Sequence, residues 1–487
     1  MTELTTAALA TLAADVSVPT YDRAAVRRRV VHFGVGGFHR AHEAMYLDRL
    51  LEDGHGDWGL CGVGVLSFDA AMRDALAAQD GLYTLVTTAP DGSSDARVVG
   101  SIVDYLFVPD DPEAVIATLA DPDTAIVSLT ITEGGYGIDD ATGTYAPRDE
   151  ATLADLDGAT PPRSVMGLLA EGLRRRRDAG IPAFTVMSCD NIQGNGHVAR
   201  AALLGFAERR DAELAAWIAE NVSFPNSMVD RITPVTTDET RAAVAEEFGI
   251  DDRWPVRSES FVQWVLEDAF PLGRPPFERA GVQLVDDVEP YELMKLRLLN
   301  ASHQAMSYLG ILSGAHYVHE VCTDELFVAF LQGYMHDEAI PTLRPVPGID
   351  LDAYCDQLIA RFSSEAIRDT LARQVVDGSD RLPKFLLPVV REQLATGGRI
   401  DHAALVLAAW SVFLEGRTET GEETPAVDSR LDELRAIVAD DPAALLDYAP
   451  VFGDLGQNAR LRTAYLAARA TLAERGARGA ITEITGG

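Results

Sequence analysis

The sequence predicts an α/β protein, with a doubly wound sheet domain over residues 1–288 and a mostly α-helical domain over residues 289–487. Three observations carry that expectation. Near the N-terminus an apolar strand runs straight into a Gly-rich turn and a helix. Apolar strands then alternate with helical stretches, the pattern of a largely parallel sheet. From about Pro290 the alternation gives way to helical periodicity. A chain of 487 residues also exceeds one ordinary core, so more than one domain is expected.

In chain order, Arg29–Phe33 reads as a short buried strand, and Gly34, Gly36 and Gly37 form the turn after it. An amphipathic helix follows over Ala41–Leu51. Together they make the anion-binding device of a Rossmann-like dinucleotide fold, in which free N–H groups face a pyrophosphate. His39 stands where G-x-G-x-x-G has its third glycine, so the motif alone is a weak signal and a purely structural turn is the alternative. Phe38 and Arg40 complete the candidate cofactor contacts, Arg40 as a phosphate partner. A second strand, Trp58–Leu66, ends near Asp69. An acid there accepts from adenosine ribose hydroxyls and repels a 2′-phosphate, unless it merely caps the helix that follows.

Further strands are expected at Tyr83–Thr87, Arg97–Val103, Ala125–Thr130 and Ala183–Ser188, with helices including Asp111–Leu119 and Arg163–Ala179. Ligands collect at the carboxyl ends of such strands. Two ends are chemically loaded: TITEGGY over Thr130–Tyr136, and SCDN over Ser188–Asn191. Asn191 suits a substrate oxygen or the nicotinamide, or serves only the turn. The Ser223–Pro234 stretch reads as irregular; it holds Asp230 beside Arg231, for which a local salt bridge is the plain alternative.

In the second half, helical patterns cover Glu292–Leu309, Asp324–His336, Leu351–Arg361, Glu365–Val376, Ala403–Leu414, Arg430–Ala439 and Arg460–Glu474. The first of them carries Lys295, Asn300 and His303 at the expected seam between the halves, a usual place for a ligand cleft. Measured from Lys295, an α-helix projects Asn300 at about 140° and His303 at about 80°. That is one broad arc with an ammonium, an amide and an imidazole, able to present a base and an oxygen-holding donor to a small polar substrate. A solvated face is the alternative. Arg373–Phe385 reads as a Gly- and Pro-interrupted loop with Arg373, Arg381 and Lys384, which either caps a polar substrate or offsets nearby acids.

The formal net charge is −34, which opposes nucleic acid and anionic membrane surfaces. An anionic cofactor then needs a local binding device. The four cysteines, Cys61, Cys189, Cys322 and Cys355, have neither C-x-x-C nor zinc-site spacing, so reduced thiols in a cytoplasmic protein are expected. The N-terminus lacks the basic region of a signal peptide, and the longest apolar run, Ala403–Leu414, is too short to span a bilayer. His316 and His319 in HYVHE, with Glu320 adjacent, have no further ligands at metal-site spacing. No metal is expected, and a monomer is the working expectation.

The segments VHFGVGGFHRAH, SLTITEGGY, PAFTVMSCDN, SFPNSMVDRITP, FVQWVLED, PYELMKLRLLNASH, PVPGIDL and DGSDRLPKF, in this order, resemble the polyol-specific long-chain dehydrogenase/reductase family nearly end to end. The resemblance implies metal-independent oxidation of a secondary alcohol by NAD. D-mannitol and D-fructose are the expected pair, and arabinitol, sorbitol or a hexuronate the alternatives. It implies Lys295 as general base, and Asn191 and Asn300 as the pair holding the reacting oxygen. His303, Asp230, Arg373 and Arg381 match positions that bind substrate or tune the site. Two departures stand out. Arg381 replaces the family's Lys, keeping charge but not geometry. Phe68 replaces one of two adjacent acids, leaving Asp69 alone.

Overall fold

The computed structural model describes residues 1–139 and 142–486. The chain divides into two compact units, Met1–Ala89 with Ser93–Glu289, and Pro290–Gly487 with Pro90–Gly92.

The first unit is built on a five-stranded sheet of β1 (Arg27–Phe33), β2 (Trp58–Gly64), β3 (Ile102–Phe107), β4 (Ile126–Leu129) and β5 (Thr185–Ser188). All neighbours pair in parallel, in the order β5-β4-β1-β2-β3. These strands read as near-continuous apolar runs because both faces are covered. Val31, Phe33, Val63 and Leu129 point into one core with helices Pro112–Ala120, Val165–Ala179 and Asn195–Arg210. Val30, Leu60 and Ile126 point into the other, which includes Met45, Leu47 and Leu50. Strand order reverses between β1 and β4, so the ligand-collecting switch point lies beyond Phe33 and Leu129.

Several expected elements differ. The stretch Arg97–Val103 is not one strand, because it breaks at Gly100 and Ser101. The Gly100 N–H donates to Asp48 Oδ1 (2.9 Å), and Ser101 Oγ donates to the Ala44 carbonyl (2.6 Å). Ser94–Val99 instead pairs antiparallel with Tyr83–Thr88 in a separate four-stranded sheet. The Ser223–Pro234 stretch is less irregular than expected: Ser227–Asp230 is a strand, antiparallel to Gln263–Glu267. The helix expected over Ala41–Leu51 is split into α1 (Gly37–Ala41) and α2 (Glu43–Glu52) by non-helical angles at His42.

The second unit is helical. Its first helix begins as α3 (Glu289–Met294), passes through a π-helical turn at Lys295–Asn300, and continues as α4 (Ala301–Leu312), every residue of which is buried. α4 packs against Asp401–Leu414, which in turn packs against Ala459–Thr485. A helix buried on all sides reads as apolar throughout, as Asp401–Leu414 does. Glu365–Val376 is not the expected helix; within it only Leu371–Gln374 is helical, after Arg368 at φ 50°. Conversely Gly378–Phe385, expected as a loop, is helical with Pro383 inside it. No helix among the described residues is long and apolar enough to cross a membrane.

Candidate active site

In the first unit the Gly-rich turn sits at the switch point, and its backbone explains the sequence. Gly34 has φ 92°, and a Cβ there would lie 2.0 Å from the Thr130 carbonyl oxygen, so only glycine fits. The Thr130 hydroxyl donates to the Gly34 carbonyl (2.7 Å), tying the end of β1 to the end of β4. At Gly36, by contrast, an added Cβ would meet nothing closer than 3.8 Å, which leaves the outer surface of the turn open to a close-approaching pyrophosphate. The residues present therefore fit a dinucleotide.

Below the turn lies a buried cluster that the sequence does not single out. His32 and His39 stack with ring centroids 3.4 Å apart. Their Nδ1 atoms lie 3.2 and 3.3 Å from Glu43 Oε2, which also accepts from Ser128 Oγ (2.7 Å). His32 Nε2 reaches Thr130 Oγ1 at 2.9 Å, so the cluster bears directly on the Gly34 tie. His39 occupies the third-glycine position because here helix and strand meet through stacked imidazoles rather than bare backbone. Burial first, then the His32 charge, push His39 down to about 3. Burial alone would raise Glu43, but bonds to His32 and His39 hold it well below the carboxylate range. This is the one group of three metal-capable side chains within reach of each other among the described residues. Their ligand atoms lie within 4.8 Å of one another, around the Glu43 oxygen that already accepts from Ser128 Oγ. HYVHE serves as a helix cap. Glu320 Oε2 accepts the His316 and Tyr317 N–H groups (2.7 and 2.9 Å) at the start of helix Val318–Cys322.

Two expected cofactor contacts, Arg40 and Asp69, also bond to the protein's own backbone. Arg40 is fully buried, donates to the carbonyls of Gly36 (3.3 Å) and Trp254, and lies over the Tyr83 ring. Burial pushes its guanidinium down to about 10. It braces the turn from behind, since a cation in the first turn of a helix is poorly placed against the dipole and finds carbonyls. Asp69 does not cap the following helix with its side chain. Its Oδ2 accepts the Val65 and Leu66 N–H groups (2.8 and 2.9 Å), closing the end of β2, and Oδ1 takes neither bond. Phe68 beside it is 72% exposed, while Phe38 stacks on His42 at 4.9 Å.

At the carboxyl ends of β4 and β5, Asp190 fixes the loops that precede Asn191. Its Oδ2 accepts the Ile131 N–H (3.0 Å) and the Tyr136 hydroxyl (2.7 Å), and its Oδ1 accepts the Thr132 N–H (2.9 Å). Thr132 has φ 62°, an outlier for a β-branched residue that costs about 1–3 kcal/mol and persists only where neighbours enforce it. Asn195 Nδ2 donates to the carbonyls of Asp190 (3.0 Å) and Ser227 (2.8 Å), and Asn195 Oδ1 accepts the Ser227 N–H (2.9 Å). One network thus joins the Thr130–Tyr136 loop, the Ser188–Asn191 loop and the Ser227–Asp230 strand. Asn191 itself is exposed and Asp230 buried. The neighbouring Arg231 turns into the core, donating to the carbonyls of Glu259 (3.0 and 2.9 Å) and Ala41.

In the second unit the π-turn changes the geometry expected for the Lys295 helix. Its bonds run from residue i to i+5, as the Ala301 N–H to Leu296 carbonyl bond shows. The wider turn brings Asn300 closer to the Lys295 side than the about 140° of an α-helix. Lys295 is 7% exposed, as is His303, whose ring lies 4.6 Å from Phe362. Asn300 Oδ1 is buried and accepts no hydrogen bond among the described residues. Asp369, which no sequence motif marks, holds Arg373 through two bonds (2.8 and 2.7 Å). Burial would raise Asp369, but Arg373 and the nearby His303 outweigh it and keep it below its ordinary range. Arg381 and Gln304 both donate to the Gln374 carbonyl (3.1 and 2.8 Å), which ties the Arg381 segment to α4. Asp369 thus links Arg373 to the neighbourhood of His303, and the Gln374 carbonyl links Arg381 to Gln304 on α4.

Comparison with known proteins gives consistent results. A profile described as the mannitol dehydrogenase Rossmann domain matches residues 28–279, and one described as the mannitol dehydrogenase C-terminal domain matches residues 287–472. The chain is 50% identical over 444 residues to a mannitol 2-dehydrogenase of Phaeosphaeria nodorum, covering 90% of this chain and 78% of that protein. It is 48% identical over 449 residues to one of Aspergillus fumigatus, covering 90% and 89%. Among solved structures, Pseudomonas fluorescens mannitol 2-dehydrogenase in ternary complex with NAD and D-mannitol superposes with a TM-score of 0.89, at 46% identity and 99% coverage of both chains. A substrate-free D-sorbitol dehydrogenase gives 0.90 at 41% identity, covering 98% and 100%.

Proposed function

The chain belongs to the mannitol dehydrogenase family, and from that premise we propose that it oxidises D-mannitol to D-fructose with NAD, and catalyses the reverse reduction, using a lysine base and no metal. NAD-dependent polyol dehydrogenase activity follows from the family itself. The observation that carries the finer reading is the full-length likeness to a protein solved with NAD and D-mannitol.

The nicotinamide, when bound, supplies the hydride acceptor. What this chain's residues contribute is position and proton transfer. Lys295 Nζ takes the hydroxyl proton in oxidation and returns it in reduction, a role for which a buried amine is suited because desolvation favours its neutral form. The amides of Asn191 and Asn300 donate to the reacting oxygen as negative charge develops on it, without themselves being consumed. His303, Asp230, Arg373 and Arg381 are assigned to the remaining hydroxyls, with Asp369 fixing the Arg373 fork. Gly34, Gly36 and Gly37 hold the pyrophosphate, and Asp69 Oδ1 accepts from the adenosine ribose.

D-sorbitol is the second reading, favoured by the likeness to D-sorbitol dehydrogenase. Initial rates of NADH formation with D-mannitol, D-sorbitol and D-arabinitol separate the two. D-mannitol is expected to give the highest kcat/KM. A higher value for D-sorbitol selects the second reading, and no turnover with any polyol or with D-fructose and NADH rejects both.

A further inference from the structure

The Asp190 carboxylate ties the Thr130–Tyr136 loop to the Ser188–Asn191 loop, yet it has no assigned part in the reaction. It is buried, and its two oxygens take three donors: two backbone N–H groups of the Thr130–Tyr136 loop and the Tyr136 hydroxyl. Its own carbonyl is held by Asn195, which also grips both backbone groups of Ser227. The residue immediately after it is Asn191, exposed at the end of β5. A carboxylate is acceptor-only, so it alone can receive both N–H groups and the hydroxyl without turning a donor on them. The enforced φ of Thr132 indicates that the loop would relax without this clamp.

We infer that Asp190 is a positioning residue for the oxidation, acting through Asn191 by fixing the backbone from which its amide projects. This rests on the reading of Asn191 as a holder of the reacting oxygen. Asp190→Asn keeps the shape but brings an NH2 against at least one of the N–H donors, so the loop shifts and the Asn191 amide loses its aim. Misplacement on the scale of 1 Å costs about a hundredfold in rate.

The test is a double-mutant cycle on kcat for D-mannitol oxidation, with NADH affinity measured alongside by fluorescence titration. Asp190→Asn should lower kcat by about ten- to a hundredfold and leave NADH affinity within about twofold. In the Asn191→Ala background the same change should cost less than about threefold, since its target is already gone. Full, independent losses in the double variant would overturn the inference, as would a lower melting temperature with unchanged kcat. An unimpaired Asn191→Ala enzyme would instead remove the Asn191 reading on which it rests. If Asp190→Asn does not fold, Tyr136→Phe deletes one donor and keeps both backbone bonds. It should lower kcat about threefold at unchanged NADH affinity, and an unchanged kcat would count against the clamp.

Discussion

At Lys295 the side chain is 7% exposed on a helix that turns from α to π at that residue. A base in this position must be neutral to accept a proton, so the rate of D-mannitol oxidation should rise with pH through a single ionisation. D-fructose reduction needs the protonated form, and its rate should fall over the same range. Lys295→Ala should lower kcat by about two to four decades, the usual contribution of a positioned proton carrier, with NADH affinity retained. Near-normal turnover with an unchanged pH profile would move the assignment to His303, further along the same helix. Asp69 invites a second substitution. Because its Oδ2 closes the end of β2, Asp69→Asn is the cleaner variant: it preserves an acceptor for the turn while removing the charge that opposes a 2′-phosphate. The ratio of kcat/KM for NAD over NADP should shrink in Asp69→Asn, and a wild-type ratio of one or less would reject the assignment.

The anion-binding turn is an element held by its underside. The His32–His39–Glu43 cluster supports it through Thr130, and this should be visible in the pH dependence of stability. His39 is pushed down to about 3 in the folded protein, below the ~6.5 of a free histidine. As pH falls below ~6.5 the unfolded chain takes up this proton first, so stability is complete above that value and lost progressively towards about 3. Glu43, also held low, adds to the loss only once pH falls below the ordinary carboxylate range. The melting temperature should therefore decline from about pH 7 to pH 5, and His39→Asn should flatten the decline. Equal slopes in both proteins would show that His39 takes no part.

How much of these elements the sequence discloses depends on how local their causes are. β1, the Gly34 turn and the parallel order of the central strands follow from apolar runs and a glycine that no other residue can replace. The break at Gly100–Ser101 does not, because its cause is a pair of hydrogen bonds to the distant Asp48 and Ala44. The π-turn at Lys295–Asn300 is likewise silent, since a helical pattern carries no mark of one extra residue in a turn. Arg40 is opaque for a related reason: its partners, Trp254 and Tyr83, come from remote parts of the same unit. Asp190 and Asn195 lie within or beside a motif that is legible, SCDNIQGN, but only the fold reveals that their bonds run to Ile131, Thr132 and Ser227.

For the whole molecule, a net charge of −34 leaves binding of an anionic dinucleotide to local devices, namely the open backbone of the Gly-rich turn and the single carboxylate at the end of β2. The proposed chemistry routes no step through a metal, since it assigns the proton to Lys295 and the reacting oxygen to Asn191 and Asn300. The one metal-capable trio among the described residues, His32, His39 and Glu43, lies beneath the turn. Full-length likeness to polyol dehydrogenases then makes a sharp demand on the purified protein. The most direct measurement is NADH formation from D-mannitol and NAD before and after exhaustive dialysis against a strong chelator. The account predicts the same kcat in both preparations; a rate abolished by the chelator and restored by zinc would contradict it.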